Sequence, residues 1–153
     1  MFAQSTTGGG SQPELAAWDG FLRAHADLVG RLDADLSREH GLTLSSYDVL
    51  SRLAAAPDRC LRMSELASSV LLTPSGLTRL IDRLCRDGLV RRRRCRSDAR
   101  GSFAVLTDRG LDVLGDARRT YVAGVRKLFL SRLSPADLRR MASCWDRLTP
   151  TAD

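Results

Sequence analysis

The sequence predicts a mainly α-helical fold carrying one small β-hairpin, and three observations support that prediction. Apolar residues recur at helical spacing through long stretches near both ends of the 153-residue chain. Aromatic residues make up only 5% and prolines number five, which is sparse for a sandwich or a barrel. Two short runs with strand character flank a polar turn between positions 89 and 106. With 43% apolar content the chain is long enough for one full-sized core and too short for two. Residues 11–153 are therefore expected to form a single domain behind a disordered tail, residues 1–10, that includes Gly8, Gly9 and Gly10.

The first helix starts at Ser11 before Pro13 and Glu14 and stops at Gly41. Leu15, Trp18, Leu22, Val29, Leu32 and Leu36 form its 3-4 stripe, with His25 in the same stripe. At 1.5 Å per residue this helix spans ~40 Å, more than a core of this size needs. Thr43 caps a second helix that runs through Ala55 with Tyr47, Leu50 and Leu53 inward, and Pro57-Asp58 makes the following turn. A short third helix covers residues 64–70, with Leu66, Ala67 and Val70 apolar. Arg62 stands where a Ser or Thr cap is expected before Glu65.

Thr73-Pro74 opens a fourth helix with a capping hydroxyl and a proline at its first position. Leu77, Leu80, Ile81 and Leu84 form its buried stripe, Gly88 ends it, and Ser75, Thr78, Arg79, Asp82, Arg83 and Arg86 face outward. Residues 89–95 and 102–106 read as two strands joined through Arg96-Ser97-Asp98-Ala99-Arg100-Gly101. Thr107-Asp108 caps a long fifth helix that keeps its spacing through Leu111, Leu114, Tyr121, Val122, Val125, Leu128 and Phe129 to about Leu133. Ser134-Pro135-Ala136-Asp137 is a capping-box start for a last helix with Leu138, Met141, Trp145 and Leu148 at 3-4-3 spacing. Stripes this long fit a second copy of the chain, so Leu15, Trp18, Leu22, Val29, Leu138, Met141, Trp145 and Leu148 are the expected dimer interface. The dimerisation helices then cover about residues 12–40 and 108–149.

Charge is concentrated in one place. Residues 79–100 hold nine arginines and three aspartates, a net +6, and the rest of the chain balances to zero. A short basic surface of this kind fits a nucleic-acid backbone. Of the 24 basic residues only Lys127 is lysine, so the sign and clustering of the charge carry the argument, not the choice of arginine. Cys60, Cys85, Cys95 and Cys144 form no Cys-x-x-Cys pair and have no histidine at metal-ligand spacing, so neither a metal nor another cofactor is expected. The first residues lack a basic start and an apolar core, and no apolar run approaches the length of a membrane span; the expected setting is cytoplasmic, with reduced thiols. There is no Ser/His/Asp order, phosphate-cradling glycine loop or supported carboxylate pair, so no catalytic residue is assigned.

A short helix, a tight turn at Leu71-Leu72-Thr73 and a second helix with a polar outer face make a helix-turn-helix, and the basic hairpin after it supplies a wing. With Ser64-Glu65-Leu66-Ala67, Leu72-Thr73-Pro74-Ser75, Thr78-Arg79-Leu80-Ile81-Asp82-Arg83-Leu84, Asp87-Gly88-Leu89-Val90-Arg91-Arg92, Asp98-Ala99-Arg100-Gly101 and Leu106-Thr107-Asp108-Arg109-Gly110 in this order, the chain resembles the MarR family of bacterial winged helix-turn-helix regulators. The resemblance covers about residues 42–114 by motif and places the winged-helix lobe at about 42–107.

The resemblance implies a homodimeric repressor that reads a pseudo-palindromic operator in double-stranded DNA and is released by a small-molecule effector. Ser75, Gly76, Thr78 and Arg79 fall at the exposed start of the recognition helix, where base-edge and phosphate contacts are made. Gly76 removes one side chain from that row. Arg83, Arg92, Arg94 and Arg96 add backbone attraction, and Arg100 resembles the wing arginine that reaches a narrow minor groove. Asp98 is similar to the family's wing aspartate, an acceptor that holds the tip. Trp18 and Trp145 are candidates either for interface core or for the wall of an effector cleft. Two other readings stay open: a redox-sensing thiol at Cys95 or Cys85, and a sequence-indifferent nucleoid or RNA-binding protein.

Overall fold

The computed structural model describes residues 12–94 and 102–148. Ser11, the tail, and the wing-tip residues Cys95, Arg96, Asp98 and Arg100 lie outside the described residues. The elements run α1 (Gln12–His40), α2 (Leu44–Ala55), a 3-10 turn (Pro57–Arg59), β1 (Cys60–Arg62), α3 (Met63–Ser69), α4 (Pro74–Arg86), β2 (Val90–Arg94), β3 (Ser102–Leu106), α5 (Asp108–Leu128), a second 3-10 turn (Leu130–Arg132) and α6 (Pro135–Leu148).

Local chemistry explains most of these boundaries. Thr43, Thr73 and Thr107 each sit in extended backbone and accept an amide three residues on, from Ser46, Gly76 and Gly110, at 3.0–3.1 Å. These caps satisfy N–H groups that a helix start leaves orphaned. α6 begins with a reciprocal box: Ser134 N–H donates to Asp137 Oδ2 and Asp137 N–H to Ser134 Oγ, both at 3.2 Å. Arg62 supplies no side-chain cap to α3. Glu65 holds that end instead, accepting the Arg62 amide at 3.0 Å. Gly88 takes φ +72, the left-handed geometry that ends α4 and turns the chain into β2.

Two expectations need correction. A third strand exists: β1 pairs antiparallel with β3, so the sheet order is β1-β3-β2, with Leu61 opposite Ala104 and Arg92 opposite Ala104 from the other side. The chain reaches β1 through Asp58 and Arg59, both at φ 53. The fifth helix also ends earlier than the apolar spacing suggests. It stops at Leu128, where Phe129 leaves helical geometry (φ −126, ψ −65), and a three-residue 3-10 turn, Leu130–Arg132, follows in place of further α-helix. The hairpin strands and α3 otherwise fall within one residue of expectation.

The core sits beneath the helix-turn-helix. Leu36, Val49, Leu50, Leu53, Leu66, Leu77, Ile81, Leu84, Val90 and Ala104 form one cluster with Leu114 and Ala117 of α5. Burying each large aliphatic side chain contributes about 1.5–3 kcal/mol. Gly110 is required by packing, because a Cβ there would collide with the Leu89 carbonyl oxygen where α5 crosses the start of β2. The ends of the chain are different. α6 buries none of its residues, and α1 buries only Leu32 and Leu36. Leu15, Trp18, Leu22, Val29, Trp145 and Leu148 stay exposed in the single chain.

Candidate nucleic-acid interface

The exposed face of α4 is the centre of the site. Leu77, Leu80, Ile81 and Leu84 turn inward, which leaves Ser75, Thr78, Arg79, Asp82, Arg83 and Arg86 on the outside. Gly76 lies half-buried against the Thr73 cap. Thr78 turns its hydroxyl proton back to the Pro74 carbonyl at 3.0 Å, so its oxygen is presented as an acceptor. The first two turns of α4 thus offer hydroxyls and one guanidinium, groups able to meet both base edges and phosphates.

β2 runs beside this helix with Arg91 to Arg94 all exposed. Their side chains alternate between the faces of the strand. Arg92 reaches across to α4, where Nη2 meets Asp82 Oδ1 at 2.8 Å. Arg93 turns the other way: Nη2 lies 3.1 Å from Cys60 Sγ, and its guanidinium carbon stands 5.4 Å from the Phe103 ring centre. Arg62 of β1 covers the same ring at 5.1 Å, so Phe103 has a guanidinium from each neighbouring strand. That arrangement exists only because β3 is the central strand, and it escaped the sequence reading together with β1. Arg83 also departs from a simple outward reading, since Nη2 bonds Ser46 Oγ at 3.1 Å and Thr43 Oγ1 at 3.4 Å.

Cys60, Cys85 and Cys144 are free, partly buried thiols. Burial pushes the Cys85 thiol above its ordinary value, and the Arg92 guanidinium offsets this only in part. A raised value leaves less of the reactive thiolate, which argues against Cys85 as a sensor. Among the described residues no group of His, Cys, Asp or Glu is placed to hold a metal ion, and no helix is long and apolar enough to cross a membrane.

A cleft of about 470 Å³ opens between the terminal helices and the lobe. His25, Val29, Leu44, Tyr47, Leu72 and Tyr121 are among its walls, with the Tyr47 and Tyr121 rings stacked 4.5 Å apart. Trp18 and Trp145 do not line it. They belong to an aromatic group around Phe21, whose centroid lies 5.9 Å from Trp18, 6.1 Å from His25 and 5.4 Å from Trp145. Phe21 is outside the 3-4 stripe read from the sequence.

A recognition helix capped at Thr73, the short α3 before it, and an antiparallel hairpin beside it define a winged helix-turn-helix protein. Its likeness to known proteins runs the length of the chain. The MarR family profile matches residues 40–101. The structure of Sco3205, a MarR family transcriptional regulator from Streptomyces coelicolor in complex with DNA, is 34% identical, with a TM-score of 0.88 over 97% of this chain and 95% of that one. AbsC, a MarR family transcriptional regulator from the same organism, is 34% identical, with a TM-score of 0.86 over 93% of this chain and 95% of that one. The HTH-type transcriptional regulator PrsX of Escherichia coli is 29% identical over 110 residues, which are 72% of this chain and 57% of PrsX. The chain therefore spans under two thirds of the length of that curated relative. The chain belongs to the MarR family of transcriptional regulators.

Proposed function

We propose that the chain is a sequence-specific DNA-binding repressor that acts as a homodimer on a pseudo-palindromic operator. The observation that carries this reading is the exposed start of α4, where Ser75, Thr78 and Arg79 stand clear of the core beside the arginines of β2. A helix presented this way fits the major groove, and the basic strand beside it supplies sequence-independent attraction to the backbone. The DNA complex of Sco3205 supports the same reading. On the proposed reading Ser75, Gly76, Thr78 and Arg79 of this chain approach bases and adjacent phosphates, while Arg83, Arg92, Arg94 and Arg96 add positive potential. Arg100 enters the minor groove, and Asp98 organises the tip around it.

The homodimer is supported by the apolar residues along α1 and α6 that the single chain leaves uncovered: Leu15, Trp18, Leu22, Val29, Trp145 and Leu148, with Leu138 and Met141 half-buried beside them. An effector of modest size fits the cleft beside Tyr47 and Tyr121, which combines apolar walls with the polar groups of His25, Ser45 and Asp48. Footprinting on the DNA flanking its own gene tests the function. Strong protection of a short palindrome, relieved by a candidate phenolic ligand, is the expected result. Uniform weak protection of all DNA contradicts sequence-specific binding.

A further inference from the structure

The N-terminus of α2 is gripped from two sides. From α1, Asp33 Oδ1 accepts the Leu44 amide at 2.7 Å. From α4, Arg83 sends Nη2 to Ser46 Oγ at 3.1 Å and Thr43 Oγ1 at 3.4 Å. Ser46 is 1% exposed and is the buried polar residue among the described core positions; its hydroxyl also meets Thr43 Oγ1 at 2.8 Å. A polar side chain in that position is tolerated because its hydroxyl is hydrogen-bonded to both Thr43 and Arg83.

We infer that Arg83 is a positioning residue: it anchors the recognition helix to the capping hydroxyls of α2, and the contact it makes is with Ser46 and Thr43 and not with DNA. This rests on the DNA-binding reading above and replaces one contact in it. A recognition helix reads bases through its N-terminal turns, and Arg83 lies eight residues beyond Ser75, ~12 Å further along the axis. Both bonds leave one nitrogen, Nη2, so the link ties the outer face of α4 to the start of α2 and favours one rotation of α4 about its own axis. That rotation sets where Ser75, Thr78 and Arg79 point. Because Asp33 holds the same turn of α2, the anchor also connects the recognition helix to the long helix α1.

The test compares wild type, Arg83→Ala, Ser46→Ala and the double variant on operator and scrambled duplexes at two salt concentrations. A positioning role predicts that either single change weakens operator binding by up to about tenfold, the upper end of the net contribution of a typical hydrogen bond. The double variant should then be no worse than the poorer single one. Scrambled DNA should bind to the Ser46 variant as to wild type, and the salt slope should stay unchanged in both single variants. The inference is overturned if Arg83→Ala weakens both duplexes alike and flattens the slope by about 0.9 while Ser46→Ala binds as wild type, the pattern of a lost phosphate contact. Should Ser46→Ala melt early, the slope of Arg83→Gln, which leaves α2 untouched, decides the question alone. Absence of any operator preference in the wild-type titration removes the proposed function itself and is read before either variant.

Discussion

Asp82 of the recognition helix and Arg92 of the first wing strand are joined across the site at 2.8 Å, an acidic residue holding one of the arginines that concentrate the charge of the chain. Both side chains are more than a third exposed. The pair is therefore worth ~0.2–1 kcal/mol to stability. Its geometric effect is larger, because it fixes β2 against α4. Asp82→Ala raises the positive charge, so attraction alone predicts tighter binding to every DNA. The expected outcome is a roughly two- to fivefold loss on operator with no loss on scrambled DNA, measured by electrophoretic mobility shift. Equal tightening on both would mean that the pair does not position the wing.

The thiols are expected to be poor sensors. Burial raises the Cys85 thiol, so alkylation of Cys85 by iodoacetamide near neutral pH should be slower than that of a model thiol and should accelerate only as the pH rises. Peroxide should leave the operator footprint unchanged, and Cys95→Ser should behave as wild type. A footprint released by peroxide and rescued by Cys95→Ser would establish redox control.

The junction of α1 and α5 carries a pH dependence. Thr120 donates its hydroxyl to Glu39 Oε2 at 2.8 Å and sits 2.8 Å from His40 Nε2. That hydrogen bond, with help from Arg38, holds the Glu39 carboxyl below its ordinary value of 4.5. A depressed carboxyl stabilises the fold above its unfolded-state value, and the contribution fades as the pH falls through the folded-state value. Thr120→Val should move the Glu39 titration upward in a carbon-detected NMR experiment, and the acid-dependent loss of stability that Glu39 contributes should shrink and level off at higher pH. An unmoved titration would show that Arg38 alone sets it.

How legible the molecule was from its sequence depended on the range of the chemistry. The Thr43, Thr73 and Thr107 caps, the Ser134–Asp137 box and the Gly88 stop all act within four residues, and each could be read from neighbouring letters. β1 could not, because three residues are too few to show alternation, and the left-handed geometry before it falls on Asp58 and Arg59 and not on glycine. The break at Phe129 was hidden by Leu128, Leu130 and Leu133, which continue an apolar spacing the backbone does not follow. Within the site, the outward row on α4 followed from its period. The partners of Arg83 and Arg92 did not, since Ser46 and Asp82 lie 37 and 10 residues away and meet them only through tertiary packing.

The terminal helices predict an obligate pair of chains. Sedimentation equilibrium should give about twice the 16.8 kDa chain mass. Leu22→Asp or Trp145→Asp should lower dimerisation and melting temperature together, by ~1.5–3 kcal/mol for each large apolar side chain left uncovered. A monomer that keeps its melting temperature at micromolar concentration contradicts the assignment of this face.

The central claim, that α4 reads bases while the arginine strand supplies attraction, is tested most directly by fluorescence anisotropy of Arg79→Ala and Arg94→Ala on operator and scrambled duplexes at two salt concentrations. Arg79 and Arg94 are both exposed, one on the recognition helix and one on β2. Arg79→Ala should cost ~1–3 kcal/mol on operator and much less on scrambled DNA. Arg94→Ala should weaken both equally and flatten the salt slope by about 0.9. Equal losses on both duplexes for Arg79→Ala, with the same flattened slope, would contradict the account and leave a charged patch that reads no sequence.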